Sequence, residues 1–170
     1  DIIPKMADKG VFLTAPVLVF VSAYLAYLVI PFSPFLVVKD LNVGVGFRKK
    51  PVGVLGSKYQ PLDNIYQITE AVDALARAVA KMTTPYAKAL IALLGISYIQ
   101  PFEDGNKRAS RLMANAILMA FGCAPLSYRS MEESEYREAI LVFYELNSII
   151  PFKKIFVAQY DFAARNYAVK

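Results

Sequence analysis

The sequence predicts a mainly α fold: a helical bundle carrying a short β-hairpin, preceded by a transmembrane helix. Three observations predict it. Apolar residues recur at three-to-four spacing between helix start and stop signals over most of the chain beyond residue 60. A short alternating, glycine-bearing stretch stands at 48–60. An uncharged, nearly apolar run of 20 residues fills 11–30.

The apolar run reads VFLTAPVLVFVSAYLAYLVI and has about the length that crosses a bilayer core. Pro16 lies in its first turns, where proline damages a helix least, and Tyr24 and Tyr27 lie toward the far end, as at an interface. A signal peptide and a buried core helix are the alternatives. The length of the run and the lack of a small-x-small cleavage site weigh against the first. Pro31 and Pro34 stop the helix, and a second apolar segment runs over 35–47. Arg48-Lys49-Lys50 then places the following chain on the cytoplasmic side by the positive-inside tendency. The sequence therefore divides into a hydrophobic, membrane-type segment over 1–47 and a mixed, charged domain over 48–170.

Pro51-Val-Gly-Val-Leu-Gly-Ser-Lys-Tyr59 predicts the hairpin. A helix follows Pro61-Leu-Asp63, with Ile65, Ile68, Val72, Leu75 and Val79 on one face. Thr83-Thr-Pro85 opens a second over 85–98, a polar loop spans 100–106, and a third helix runs over 107–121 to Gly122. Ser130-Met-Glu-Glu133 predicts a capping box and a fourth helix reaching 146. The last helix follows Pro151 and reaches 167.

Of 170 residues, 56% are apolar, and the net charge of +5 falls in residues 48–170. That excess suits a polyanionic ligand or an ordinary solvated surface. No basic stripe interleaved with aromatics marks a nucleic-acid surface, and none is expected as a partner. Cys123 is the one cysteine, so no internal disulfide forms; its apolar neighbours predict a buried thiol. Histidine is absent, which excludes a His metal site and a His general base.

The loop 100–111 carries the chemistry. Asp104-Gly105-Asn106 leads directly into a helix whose N-terminus presents free N–H groups and partial positive charge. Gly105 lets an anion approach the backbone closely. Lys107, Arg108 and Arg111 oppose the helix dipole, a placement that makes sense with an anion among them. Arg108 and Arg111 are three apart and share a face, with forks suited to phosphate. Asp104 stands where it could hold Mg²⁺ against the same phosphates. An ordinary polar loop, its arginines paired with acids such as Glu103, accounts for the residues equally well.

Gln100-Pro-Phe-Glu-Asp-Gly-Asn-Lys-Arg-Ala-Ser-Arg111 resembles the signature of the Fic (Fic/Doc) family, His-x-Phe-x-Asp/Glu-Gly-Asn-Gly/Lys-Arg-x-x-Arg, at every position but the first. The flanks Lys88-Ala-Leu-Ile-Ala, Arg111-Leu-Met-Ala-Asn115 and Pro125-Leu-Ser-Tyr128 are similar to the family too, over about 47–170. The resemblance implies a Fic-fold helical bundle with a flap at 48–60, and a protein adenylyltransferase moving AMP from ATP to a target hydroxyl. It implies that Asp104 holds Mg²⁺, that Gly105, Asn106 and Lys107 line the nucleotide site, and that Arg108 and Arg111 bind the outer phosphates. Phe102 would anchor the loop in the core. The target protein would dock its Ser, Thr or Tyr segment on the flap as an added strand. Lys107 is also found in a Doc-like branch that phosphorylates its target. No Ser/Thr-x-x-x-Glu-Gly/Asn inhibitory pattern is present, so any inhibition would come from a partner or from a missing segment.

Gln100 stands where the family has its catalytic His. An amide cannot accept the proton of an attacking hydroxyl. The resemblance therefore implies an impaired transferase or a catalytically dead nucleotide- and target-binding module. Residues 1–47 resemble something else. Asp1-Ile-Ile-Pro-Lys5, Ala7-Asp-Lys9, Leu13-Thr-Ala-Pro16, Ile30-Pro-Phe32 and Val37-Val-Lys-Asp-Leu-Asn-Val-Gly44 are similar to the H subunit of bacterial NADH–quinone oxidoreductase, a membrane protein. From these residues alone the chain would be a fragment of that membrane protein.

Overall fold

The computed structural model describes residues 47–128 and 130–167. Five helices follow one another: α1 (Ile65–Lys81), α2 (Pro85–Ile99), α3 (Asn106–Ala120), α4 (Glu133–Leu146) and α5 (Ile150–Tyr167). The mainly helical class and all five helices agree with the sequence. The span expected over 11–30 and the apolar segment over 35–46 lie outside the described residues. Among the described residues no helix is long and apolar enough to cross a membrane.

Local chemistry sets the helix ends. The Asn64 side chain accepts from the Tyr66 N–H and caps α1, and the Thr84 hydroxyl accepts from the Ala87 N–H and caps α2, which has Pro85 in its first turn. The capping box expected at Ser130 does not form. Glu132 is the N-cap of α4 without a side-chain cap bond, and Ser130 Oγ instead donates to Gln159 Oε1 on α5 at 3.2 Å. A bond to a neighbouring helix has replaced the local cap.

α2 is the central element. It buries Ala89, Leu90, Ala92, Leu93, Leu94, Ile96, Ser97 and Ile99, which cover more than half of its circumference, with half-buried Ile91, Gly95 and Tyr98 on the remaining face. α1 and α3 pack on it, while α4 pairs with α5. Ile68, Val72, Leu75 and Val79 of α1 meet α2 at the spacing the sequence predicts. The approach is closest at Gly95, where a Cβ would stand 2.3 Å from Leu75 Cδ1. Phe152, Ile155 and Phe156 of α5 complete the core. Cys123 is half-buried, not enclosed: its Sγ donates to the Phe121 carbonyl in the loop after α3.

The hairpin expected over 48–60 is not one. Among the described residues there is no β-strand. The segment is extended chain with one turn, closed by Ser57 N–H to Val54 C=O at 3.1 Å and placing Gly56 at φ 83°. Its outgoing donors go to side chains: Lys58 N–H to Glu145 Oε1 at 2.7 Å, and Tyr59 N–H to Ser57 Oγ at 2.9 Å. No ladder is left to form between the arms.

Candidate functional site

α2 ends, the chain turns through residues 100–105, and α3 begins. Pro101 prevents α2 from continuing. Gln100 becomes its C-cap in the left-handed region (φ 51°, ψ 56°), its N–H bonded to Ile96 C=O at 3.0 Å. A non-glycine residue there is strained unless its surroundings hold it. Arg48 supplies the hold. Its Nε donates to Gln100 C=O at 2.6 Å, and its own N–H donates to Pro101 C=O at 2.9 Å. Its Nη1 donates to Lys50 C=O at 3.0 Å and its Nη2 to Leu62 C=O. Arg48 is 1% exposed, and its burial lowers its pKa against the opposing influence of Tyr59 and Asp63. Read along the sequence it is only the first of three basic residues; nothing local marks it as the pin joining the 100–105 loop, the 48–60 segment and the approach to α1.

The Gln100 side chain turns back toward α2. Its Nε2 donates to Ser97 C=O at 2.5 Å and stands 3.5 Å from Tyr144 Oη, which itself donates to Ser97 C=O at 2.9 Å. Tyr144 is pushed up to about 12, chiefly by burial. Tyr59 stacks on Tyr144 with centroids 5.4 Å apart and donates its hydroxyl to Tyr98 C=O at 2.9 Å. Its pKa is raised, first by burial. An aromatic wall thus backs Gln100, joining the 48–60 segment to α2 and α4.

Asn106 closes the loop on itself. Its Oδ1 accepts from Phe102 N–H at 2.9 Å and its Nδ2 donates to Phe102 C=O at 2.8 Å, with the side chain buried. The family resemblance implies that this side chain lines the nucleotide site; both of its ends are engaged by the loop backbone. Phe102 is half-buried against Phe47, at 6.4 Å between centroids, rather than seated in the core; buried Pro101 lies beside it.

Gly105 is the N-cap of α3 at φ 80°, with no side-chain cap bond. The N–H groups of the first turn of α3 therefore have no capping side chain, and left-handed geometry at that position suits glycine. Lys107 is exposed. Arg108 lies 3.5 Å from Asp104, with side chains 78% and 93% exposed. Such a surface pair is worth only about 0–1 kcal/mol and opens readily.

Arg111 differs from Arg108. Its guanidinium carbon sits 4.5 Å from the Tyr136 ring centroid and 4.9 Å from that of Tyr128. No carboxylate lies within ion-pair distance among the described residues, and its Nε is buried without a hydrogen-bond partner. The two arginines that sequence spacing puts on one face thus differ: one is solvated beside an acid, the other held by aromatic rings. Sequence reasoning marks Tyr128 only as part of a family-like flank and passes over Tyr136; it misses their contact with Arg111 because they lie 17 and 25 residues beyond it.

The donor set can be tested against Mg²⁺. Among the described residues no group of three or more His, Cys, Asp or Glu side chains could cage a metal. Mg²⁺ is usually held by one or two carboxylates together with phosphates and water. Asp104, exposed one residue before the helix cap, fits that mode.

Residues 36–118 match the Fic/DOC family, and residues 1–49 match the NADH dehydrogenase family, so the two matches overlap at 36–49. The H subunit of NADH-quinone oxidoreductase from Chlorobaculum parvum is 36% identical over 99 residues, 55% of this chain and 26% of that protein. Among solved structures, a Fic family protein from Desulfovibrio desulfuricans is similar at TM-score 0.63 and 19% identity, covering 89% of this chain and 52% of that one. The BepC protein of Bartonella tribocorum, solved with bound AMPPNP, is similar at TM-score 0.55 and 18% identity, covering 66% and 56%. The chain spans about a quarter of the Chlorobaculum protein and about half of each of these structures.

Proposed function

We propose that this Fic-type chain, with the Fic fold in its described helices, binds ATP–Mg²⁺ on the loop 104–111 and transfers AMP slowly or not at all. The observation that supports the reading most is Arg111: a fixed guanidinium with no acid partner among the described residues, five residues into a helix whose N-terminus has no side-chain cap. An uncapped helix N-terminus with a cation beside it that no acid neutralises is a ready anion site. In this reading the α3 backbone N–H groups and Gly105 cradle the phosphates, Asn106 keeps the cradle in shape, and Lys107, Arg108 and Arg111 supply charge. Asp104 would hold Mg²⁺, whose chemistry is to neutralise phosphate charge. ADP bound to a Fic domain from Bartonella quintana and AMPPNP bound to BepC support nucleotide as the ligand class.

AMP transfer requires a target hydroxyl oxygen to attack the α-phosphorus, the bond to the β-phosphate oxygen to break, and the hydroxyl proton to leave. Gln100 stands where a base would take that proton, and an amide cannot take it near neutral pH. Its Nε2 points at Ser97 C=O, which holds the side chain against α2. Loss of a general base costs on the order of 10²–10⁴-fold. A binding module without turnover is the alternative reading, favoured by the same residue; phosphoryl transfer, on the strength of Lys107, is another. The 48–60 segment, held as extended chain, would receive the target protein. Residues 1–47 form a separate membrane-type segment in this proposal, tethering a cytoplasmic domain of 48–170.

Calorimetric titration with ATP and Mg²⁺ tests the binding half. Arg108→Ala should weaken ATP at least ~10-fold, since a charge-assisted contact is worth roughly 1.5–3 kcal/mol. Unchanged affinity would remove the loop from the ligand site.

A further inference from the structure

Arg111 lies in a corner rather than a sandwich. The Tyr128 and Tyr136 rings meet nearly edge to face, 5.7 Å between centroids and 82° between planes, and the guanidinium sits against both. Each ring is anchored from behind. Tyr136 packs edge to face on Phe152, at 5.1 Å, and Phe152 is fully buried. Tyr128 is placed by the loop after α3, which Asn115 pins: Oδ1 accepts from Leu126 N–H at 2.8 Å and Nδ2 donates to Leu126 C=O at 3.0 Å. Tyr128 also carries φ 32°, a conformation a bulky residue adopts only where its surroundings impose it.

The corner is incompletely satisfied. Arg111 Nε, Tyr128 Oη and Tyr136 Oη are all buried without a hydrogen-bond partner. Burial raises the Tyr136 pKa against the opposing hydrogen-bonding and charge influence of Arg111, so the hydroxyl stays protonated beside the guanidinium. Aromatic faces orient a guanidinium without neutralising it, whereas a carboxylate would do both. The full positive charge of Arg111 therefore stays available to an incoming anion, in an orientation set before the anion arrives.

We propose that Tyr128 and Tyr136 are positioning residues that make Arg111 a reader of the outer phosphates, and so set the preference for nucleoside triphosphate over monophosphate. The proposal rests on the nucleotide-binding reading above. Pre-orientation matters most for the part of the ligand that reaches Arg111, and that part is missing from AMP.

The test measures ATP and AMP affinity, each with Mg²⁺, for the full chain and for Tyr136→Leu, Tyr128→Leu and Tyr136→Phe, with thermal midpoints alongside. Either leucine variant should lose roughly 10-fold in ATP affinity, as expected for a partly desolvated cation–π contact, while AMP affinity shifts by less than about 2-fold. Tyr136→Phe keeps the ring and should restore most of the ATP affinity. If Tyr136→Leu does not fold, Tyr128→Leu, altered at a half-buried loop position, carries the same comparison. Equal losses for ATP and AMP would make the rings structural only, and unchanged ATP affinity would overturn the proposal outright. If the unaltered chain binds ATP no better than AMP, the phosphate reading of the loop itself fails, which is a separate result.

Discussion

Gln100 keeps its left-handed backbone because Arg48 holds two successive carbonyls on its C-terminal side, those of Gln100 and Pro101. Arg48→Met should therefore cost about 3 kcal/mol in denaturant unfolding, since it leaves the carbonyls of Gln100, Lys50 and Leu62 without their donor. Unaltered stability would show that these bonds are replaced by water at no net cost. Glu145 acts at the surface end of the same segment. Its pKa is lowered first by the Ser57 hydroxyl and then by the Lys58 N–H. A depressed carboxylate contributes where it is ionised, above its unfolded pKa, and that contribution is lost as pH falls through the folded value. Amide exchange at Lys58 should accelerate between about pH 5 and pH 3 beyond its intrinsic trend, and Glu145→Gln should flatten that excess. No excess would mean that the anchor does not hold the segment in solution. These residue-scale roles were the least legible in the sequence: Arg48 and Glu145 act through partners 52 and 87 positions away.

The helices were legible, because apolar spacing, Thr84 before Pro85 and Gly122 after α3 are local signals and the structure uses them locally. What misled was competition for the same atoms. Ser130 has the spacing of a cap, yet its hydroxyl goes to Gln159; the alternating 51–59 stretch has the pattern of a hairpin, yet its donors go to Glu145 and Ser57. Local patterns name the available donors but not the tertiary acceptors that take them. Gly95 carried no sequence signal beyond an ordinary helical glycine. Its role is the α1–α2 approach, so Gly95→Ala sets a helix-propensity gain of about 1 kcal/mol against a Leu75 that has to leave its rotamer in the core, at roughly 1–3 kcal/mol. The net expectation is destabilisation of about 1 kcal/mol by thermal or denaturant unfolding. A stabilised variant would show that Leu75 relaxes freely.

At the scale of the whole molecule, the phosphate-binding half of the loop and its supposed catalytic half separate. The first follows from helix geometry and charge: Gly105 at the helix start, Arg108 loosely paired, Arg111 held by tyrosines. The second rested on a single side chain, and Gln100 lies along α2 with its amide given to Ser97. The sequence made the identity of that residue plain but not its orientation, which depends on Tyr144 from a helix more than 40 residues away. ATP binding and self-modification, measured side by side for this chain and for Gln100→His, test the central claim most directly. The account predicts similar ATP affinity in both, little modification by the chain as it stands, and a gain on the order of 10²–10⁴-fold with the histidine. Equal modification rates in the two proteins, or no ATP binding in either, would contradict it.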